Sequence, residues 1–469
     1  MSEKNNAELY FAVSPPTQNV SIYNLILKQM QITKEQIRAA LRDPYAGYSV
    51  LQQFSYNISG LSTYYNTYLD YLSGINTFDH YLYPTTEMDL SAYTTKAKAV
   101  AKLNIKSASY NIIYETLKYG ETYWYPITSS SAGEGNKTIY QKIPSEYCRV
   151  SEKDNYGVLR YEINLHQIPA DDMDNMPTEI QMAMQLPLND SWYQVQGGFA
   201  FFAHSELRQH DYPYLAHIFV DLLAYEDDKA YYDEVQRNDN TKIIHSKIPM
   251  NDETKRPLLD KNQTKTYHDE TKRHLPSNVS AIANPFDTTA LSFDKNAENK
   301  SNIVKQSKDN IQDGAGISGL IFNSEKASAL VLSQSMQKDS ANMQKYLPEL
   351  QNIFNWLLRN MNVKIGFVDS SKYNKDQKAK DAASSLTNGG SRLQYVAYKG
   401  LEPYEFLQLA EIEKSINVDE LLPPKINANQ MSTEDIGRPQ IDETSLTDEG
   451  ANTREKAWLY KEVGEWNIL

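Results

Sequence analysis

The chain has 469 residues, a net charge of −13 and a hydrophobic fraction of 40%. At roughly 150 residues per domain it is long enough for about three domains. A mean hydropathy of −0.61 is thin for one compact monomer and suits a chain that is elongated or buries surface between subunits. The acidic balance argues against a protein that grips duplex DNA by neutralising phosphates across a broad face, because that task needs a basic surface. The lone cysteine, Cys148, excludes an intramolecular disulfide framework and fits a reducing compartment. Residues 1–10 are polar and do not read as a signal peptide. No apolar run reaches the roughly 18 residues of a membrane span, so a soluble protein is expected. The 34 tyrosines suit contact surfaces that are apolar at one end and wet at the other, and equally an ordinary half-buried population.

In chain order, the N-terminal part reads as helical. Leu25, Ile26 and Met30 close one apolar patch. Thr33 and Gln36 have the spacing of a capping box and open a short helix that stops at Asp43-Pro44. Over 50–72, Leu51, Phe54, Ile58, Leu61, Tyr65, Leu69 and Leu72 recur at helical spacing, with Gly60 the weak point. A third helix is expected over about 94–118. Its Ala97, Ala101, Ile105, Ala108 and Ile112 share one face, and Val100, Leu103, Ile113 and Leu117 share another. A helix apolar on two faces is sandwiched; Gly120 ends it.

The period then changes to two. Strands are expected over 123–127, 138–143, 147–151 and 158–165, separated by the turns Gly133-Glu134-Gly135-Asn136 and Asn155-Tyr156-Gly157. In the fourth, Leu159, Tyr161, Ile163 and Leu165 alternate with Arg160, Glu162 and Asn164, the pattern of a sheet with one wet face. Further strand signal surrounds Trp192-Tyr193 and 199–203. Helical spacing returns at about Tyr214 with Leu215, Ile218, Phe219, Leu222 and Tyr225, and continues through Glu226, Asp227, Asp228, Asp233, Glu234 and Arg237. This helix begins apolar and ends acidic.

A polar insert over 241–295 follows, with short extended pieces at 242–248 and 290–293. Residues 296–313 form a thin helix, apolar mainly at Ile303, Val304 and Ile311. Met343, Leu347, Leu350, Phe354, Leu357 and Met361 then mark a long helix. Pro348 inside it predicts a kink near Leu347. A strand at 363–368 precedes a helical region to about residue 414. The tail from Pro423, poor in apolar residues and rich in acid, reads as disordered or loosely tethered.

Most chemical motifs fail on context. Gly314, Gly316 and Gly319 spell G-x-G-x-x-G, but the dinucleotide fingerprint needs a buried strand before it, and here KQSKDNIQD precedes it. A flexible turn between helices is the better reading, and no Walker-type lysine follows. Gly316-Ile317-Ser318-Gly319 falls one residue short of a nucleophile elbow. No histidine pair at i, i+4 accompanies a glutamate, so neither a zinc site nor a cofactor is expected. Asp171, Asp172 and Asp174 lack the glycine and distal glutamate of a calcium loop and read as solvated. Glu226, Asp227 and Asp228 read as a solvated helix face unless a ring places them at a channel wall. Lys255, Arg256, Lys261, Lys265, Lys272 and Arg273 make the insert locally basic, but interleaved acids favour ordinary surface slightly over a docking patch. Cys148, in a strand, reads as structural.

The stretches LPSNVSAIANPFDTTALSFDKN (275–296) and GAGISGLIFNSEKASA (314–329), leading into the long helix with its proline, resemble the portal proteins of tailed bacteriophages that infect Gram-positive bacteria. IGRPQIDETSLTDEGANTREK (436–456) is similar to their C-terminal ends. The resemblance covers about 214–456 well and the N-terminal part loosely; the joint order of segments carries it. It implies an α+β, mainly helical fold with a wing of helices and antiparallel strands (1–213) and stem helices 214–240 and 296–313 around a small clip (241–295). A tunnel loop (314–326), a long kinked helix with a wing strand (327–368), a helical crown-like region (369–422) and a partly disordered tail (423–469) complete it.

The function so implied is structural rather than enzymatic. It is a homo-oligomeric ring of about twelve copies at one capsid vertex, found in the virion and, during assembly, in the host cytoplasm. It would conduct double-stranded DNA without sequence specificity during packaging and ejection, with no cofactor and no membrane. Its partners would be the terminase large subunit, a head-completion adaptor, and the major capsid and scaffolding proteins. On that resemblance Gly314 and Gly316 let the tunnel loop turn, and Ser318, Asn323, Ser324 and Lys326 touch phosphates without reading bases. Glu226, Asp227 and Asp228 become candidates for the channel wall. Lys255, Arg256, Lys265, Lys272 and Arg273 become candidates for motor or adaptor docking. Two other classes stay open on sequence alone: a virion connector or scaffold ring without a DNA-sized bore, and a hydrolase using acidic residues of the central region.

Overall fold

The computed structural model of the chain describes residues 10–11, 32–60, 62–128, 137–185, 191–204, 208–240, 242–251, 253–254, 256–274, 279–284, 297–317 and 329–417. The chain divides into two units, Met1–Leu407 and Gln408–Leu469, and the packing described below is that of the first.

After a two-residue strand β1 (Tyr10–Phe11), three helices follow: α1 (Lys34–Arg42), α2 (Tyr48–Ser59) and α3 (Thr63–Gly74). The capping box forms in full at α1, where Thr33 Oγ1 accepts from the Gln36 amide and Gln36 Oε1 accepts from the Thr33 amide. The periodic run over 50–72 is two helices, not one. It breaks at Gly60, and Ser62 caps α3 by accepting from the Tyr65 amide. A glycine followed by a good N-cap residue offers a cheaper break than continuation.

Strand β2 (His80–Pro84), which the sequence did not announce, comes next. The helix expected over 94–118 is also split, into α4 (Leu90–Ala101) and α5 (Ile105–Tyr119), by Asn104 at φ +51°. Asparagine is among the few residues that tolerate this left-handed conformation. α5 is sandwiched as expected, with Ile105, Ala108, Ile112, Ile113 and Leu117 all buried.

The strands β3 (Glu121–Ile127), β4 (Ile139–Ile143), β5 (Cys148–Lys153) and β6 (Leu159–Asn164) form close to their predicted positions. The short helices α6 (Ala170–Met173) and α7 (Thr178–Ala183) lead to β7 (Trp192–Gln194) and β8 (Phe199–Phe202). These six strands make one sheet in the order β4-β3-β8-β6-β5, with β7 beside β6. The expected wet face is a misreading. Arg160 is buried, its guanidinium lies 4.5 Å from the ring centre of Trp356, and its Nη2 donates to the Val195 carbonyl. A guanidinium can be covered this way because the aromatic face and carbonyls replace its water. On the opposite side Tyr161 and Ile163 join Tyr123, Ile143 and Ile180 in a second core.

A 3-10 turn (Ala216–Ile218) opens α8 (Phe219–Asn240), followed by β9 (Lys242–Lys247), α9 (Lys261–His274), β10 (Val279–Asn284) and α10 (Ala297–Gly314). β9 and β10 are parallel, and β1 adds antiparallel to β10. The extended piece expected at 290–293 lies outside the described residues. α9 escaped notice because KNQTKTYHDETKRH carries no apolar stripe.

The long helix is two helices, α11 (Ala329–Gln344) and α12 (Leu347–Leu357), rather than one helix kinked by proline. The Tyr346 amide turns back to the Met343 carbonyl, and Pro348 sits in the first turn of α12. There its missing N–H has no intrahelical partner to lose. Strand β11 (Val363–Phe367) pairs antiparallel with β2, Ile365 opposite Leu82. α13 (Lys375–Leu386), α14 (Arg392–Tyr398) and α15 (Pro403–Ser415) account for the expected helical region; the tail over 423–469 lies outside the described residues. The main core gathers Leu51, Phe54, Leu69, Ile112, Leu117, Phe219, Ile311, Leu350, Phe354 and Ile365 from both ends of the first unit's sequence.

Candidate functional site

α8 has 22 residues, about 33 Å at 1.5 Å per residue, and it packs along α10. A Cβ on Gly314, the last residue of α10, would lie 3.2 Å from both Asp221 Oδ2 and Ile218 Cγ2 at the start of α8. Farther along, Ser307 Oγ donates to Asp228 Oδ2. Numbers rise on one helix as they fall on the other, so the pair is antiparallel. The insert β9-α9-β10 is the excursion between them, and a glycine-bearing turn follows where α10 returns. Leu222, Leu223 and Tyr225 of α8 and Ile311 of α10 are buried in the main core. Of the thin stripe on α10, Ile311 is buried, Val304 is partly so, and Ile303 faces out at 43% exposure.

The three acidic residues of α8 are not equivalent. Asp227 forms an ion pair with Lys34 of α1, and Asp228 takes the Ser307 hydroxyl. Glu226 has its pKa raised, mainly by burial, with Asp227 and Asp233 adding to the effect and Lys229 opposing it. Asp221, one turn into the helix, is likewise raised by burial and partly relieved by His217. His217 is itself pushed down by burial while it bonds the Gly314 and Tyr214 backbones. Two of the three candidates for a channel wall are thus engaged within the chain.

At the end of α10 the Ala315 amide bonds the Ile311 carbonyl and the Gly316 amide bonds the Asp313 carbonyl. Gly316 has φ +65°, and a Cβ there would meet nothing within 4 Å. Ser318, Asn323, Ser324 and Lys326 lie outside the described residues.

In the insert, Arg256 and Lys265 are exposed, and Arg273 Nη1 donates to Glu270 at 3.2 Å. The backbone of Lys272 lies in α9, and Lys255 is outside the described residues. Met250 bridges Pro257 and the Leu258 amide bonds the Pro249 carbonyl, making a small hairpin that holds Leu258 61% exposed. Of the basic candidates whose side chains are described, Arg256 and Lys265 are exposed and Arg273 pairs with Glu270 within its own helix.

Sequence reasoning missed the group that anchors the lead-in to α8. Glu121, 1% exposed, accepts from the Asp211 amide at 2.8 Å and meets His210 Nδ1 at 3.1 Å. Asp211, equally buried, meets His204 Nδ1 at 2.8 Å and accepts from the His204 and Tyr212 amides. Tyr48 stacks on His210 and Tyr212 on His204. Burial raises the pKa of Glu121 against the pull of His210. The one available signal was an acid opening an otherwise apolar strand just after Gly120.

The negative readings can be placed too. Gly314 ends a polar helix rather than following a strand, so the G-x-G-x-x-G spacing lacks its structural context. Among the described residues no group of His, Cys, Asp or Glu is arranged to hold a metal ion. Cys148 is buried and its thiol is pushed well above the ordinary value, by burial first and by the charge of Glu121 second. Such a thiol is inert. No described helix is long and apolar enough to cross a membrane.

No family model and no curated protein matches the chain. Among solved structures it is similar to a neck chain of a native gene transfer agent particle computed with C12 symmetry, at 10% identity and a TM-score of 0.36, over 79% of this chain and 94% of that one. A chain from the virion of a native gene transfer agent particle matches at 11% identity and 0.36, over 72% and 88%. A neck chain of an empty particle computed with C6 symmetry matches at 11% identity and 0.35, over 64% and 89%. TM-scores this low do not establish a shared fold.

Proposed function

We propose that the chain is the repeating subunit of a closed portal-type ring, a conduit for double-stranded DNA at one capsid vertex. The observation that carries this reading is the α8–α10 pair. Two antiparallel helices enclose a strand–helix–strand excursion and are followed by a glycine turn, the order that the resemblance of the sequence implies for stem, clip and tunnel loop. The exposed Tyr231, Leu258 and Tyr267 support it, since apolar side chains left on a stem and clip need another surface to cover them. In this reading a head-to-tail interface closes the ring at about twelve copies. The terminase and head-completion adaptor dock on the insert, capsid and scaffolding proteins surround the wing, and no catalysis is involved.

Negative-stain imaging with light-scattering mass tests it. Rings with a central hole wide enough for duplex DNA are expected. Rings with a closed or narrower centre would favour a connector without a DNA-sized bore, and a monomer that turns over a hydrolysable substrate would overturn the ring reading.

A further inference from the structure

A second feature lies away from the stem, where the loop before β2 meets the first turn of α5 and the approach to α13. It is a cleft of about 560 Å³, and its lining includes Asn76, Asp79, Lys106, Ser107, Lys372 and Lys375. Three positive charges face one negative, in a chain whose net charge is −13. Asp79 is 1% exposed. Its Oδ1 pairs with Lys106 Nζ at 2.7 Å, and its Oδ2 meets Lys375 Nζ at 3.0 Å without an aligned hydrogen bond. Lys106 also donates to the Gly400 carbonyl at 2.7 Å. One buried carboxylate therefore fixes two ammonium groups while neutralising only one.

The third lysine has no such partner. Lys372 is exposed, and it pairs with no acid among the described residues. Its Nζ sits 3.2 Å from where a Cβ on Gly74 would be, so a side chain there would crowd it. Asn76, 3% exposed, accepts from Ser340 Oγ through Oδ1 but leaves its Nδ2 buried with no partner among the described residues. A buried donor without an acceptor is costly, and a bound acceptor would recover that cost. Of the acids nearby, Asp70 accepts from Tyr110 Oη, and Glu402, its pKa raised by burial, feels the charge of Lys106. Neither lines the cleft.

We infer that this cleft binds a phosphate group, held by the ammonium groups of Lys372, Lys106 and Lys375 with the Asn76 amide and Ser107 hydroxyl as further donors. Several separate point-charge donors suit the many oxygens of phosphate, whereas a planar carboxylate is better matched by an arginine fork, and no arginine among the described residues lines the cleft. The inference does not depend on ring formation. The phosphate can be free or part of a nucleic-acid backbone, and the cleft is open enough for either.

Calorimetric titration of inorganic phosphate and, separately, of a short duplex of mixed sequence into the full chain decides it. Lys372→Gln removes a charge that pairs with no acid among the described residues and is expected to leave the fold unchanged while weakening phosphate binding about tenfold. Lys364→Gln, on the exposed side of β11, is expected to change nothing. Duplex that displaces phosphate from the wild type but not from Lys372→Gln identifies the backbone as the source; phosphate binding without displacement identifies a free phosphate. Asn76→Ala tests the buried donor, and because it also strips Ser340 of its acceptor, Lys372→Gln remains the deciding variant. No phosphate binding by the wild type overturns the inference. So does equal weakening by Lys364→Gln, or acetate competing as well as phosphate.

Discussion

Ser307 on α10 donates its hydroxyl to the Asp228 carboxylate on α8, and the serine is 8% exposed. A serine therefore occupies a buried position on the face that packs against α8. Apolar side chains alone would tolerate sliding by a turn, whereas a hydroxyl–carboxylate bond, stronger than one between neutral groups, holds one register. Lys34 acts on the next carboxylate, joining Asp227 to the N-terminal helix. Two of the three acids that read as a solvated stripe fasten α8 to α10 and to α1.

Ser307→Ala should lower stability by about 1 kcal/mol, because the half-exposed carboxylate can recruit water in place of the hydroxyl. Asp228→Asn alone should cost a similar amount, and the double variant less than the sum, since both remove one bond. Urea unfolding of the three proteins measures this; strictly additive losses would mean that the pair does not couple the helices.

Pro348→Ala should leave the break between α11 and α12 in place. The chain turns at Tyr346, before the proline, and Tyr346 is pinned by its hydroxyl donating to the Ala203 carbonyl at 2.7 Å. A stability change within about 1 kcal/mol is expected, since proline in the first helical turn costs no hydrogen bond. A continuous helix through 344–347 in a structure of the variant would show that proline sets the break after all.

What was legible in the sequence follows from how local its cause is. The capping box at Thr33, the strands from β3 to β8 and the helical periods of α8 and α12 are written in neighbouring residues, and they form where expected. The helix breaks at Gly60 and Asn104 were visible as residues but not as events, because apolar spacing carries across a gap of two or three residues unchanged. β2 depends on β11, nearly 300 residues away. Arg160 looked solvated because nothing near it in sequence announces Trp356. Separation in sequence also hid the pairing of Glu121 with His210 and of Asp79 with Lys375.

Gly316→Ala should destabilise the end of α10 by about 1 kcal/mol, although a Cβ there has open space around it. The cost is conformational: φ of +65° places an alanine Cβ close to the following carbonyl. Gly316→Asn should recover part of the loss, because asparagine tolerates this region. Thermal melts compare them, and an alanine variant as stable as the wild type would mean that the turn relaxes freely.

On the proposed ring reading, removing 318–324 while keeping Gly314 and Gly316 should leave folding and ring assembly intact and impair retention of packaged DNA. Gly314 must stay because α8 closes tightly on it. Assembly assayed by light scattering and DNA retention by nuclease protection separate the two effects. Loss of assembly would count against a loop that contacts only DNA.

His80 sets an acid limit on the fold. Burial, reinforced by the charge of Lys106, lowers its pKa from an ordinary 6.5 to about 4, against the pull of the Phe78 carbonyl and of Asp79. Above pH 6.5 the ring is neutral whether the chain is folded or not, and it contributes no pH dependence. As pH falls from 6.5 the unfolded chain takes up a proton that the folded chain refuses, so stability drops until about pH 4, where the folded ring protonates too. The loss from this one group is about 3 kcal/mol across that window. His80→Leu keeps an apolar side chain against Phe367, the ring that His80 meets edge-on. It should flatten the curve of unfolding free energy between pH 6.5 and 4 by that amount while leaving the slope above pH 7 unchanged. An equally steep curve in the variant would assign the acid sensitivity to the carboxylates instead.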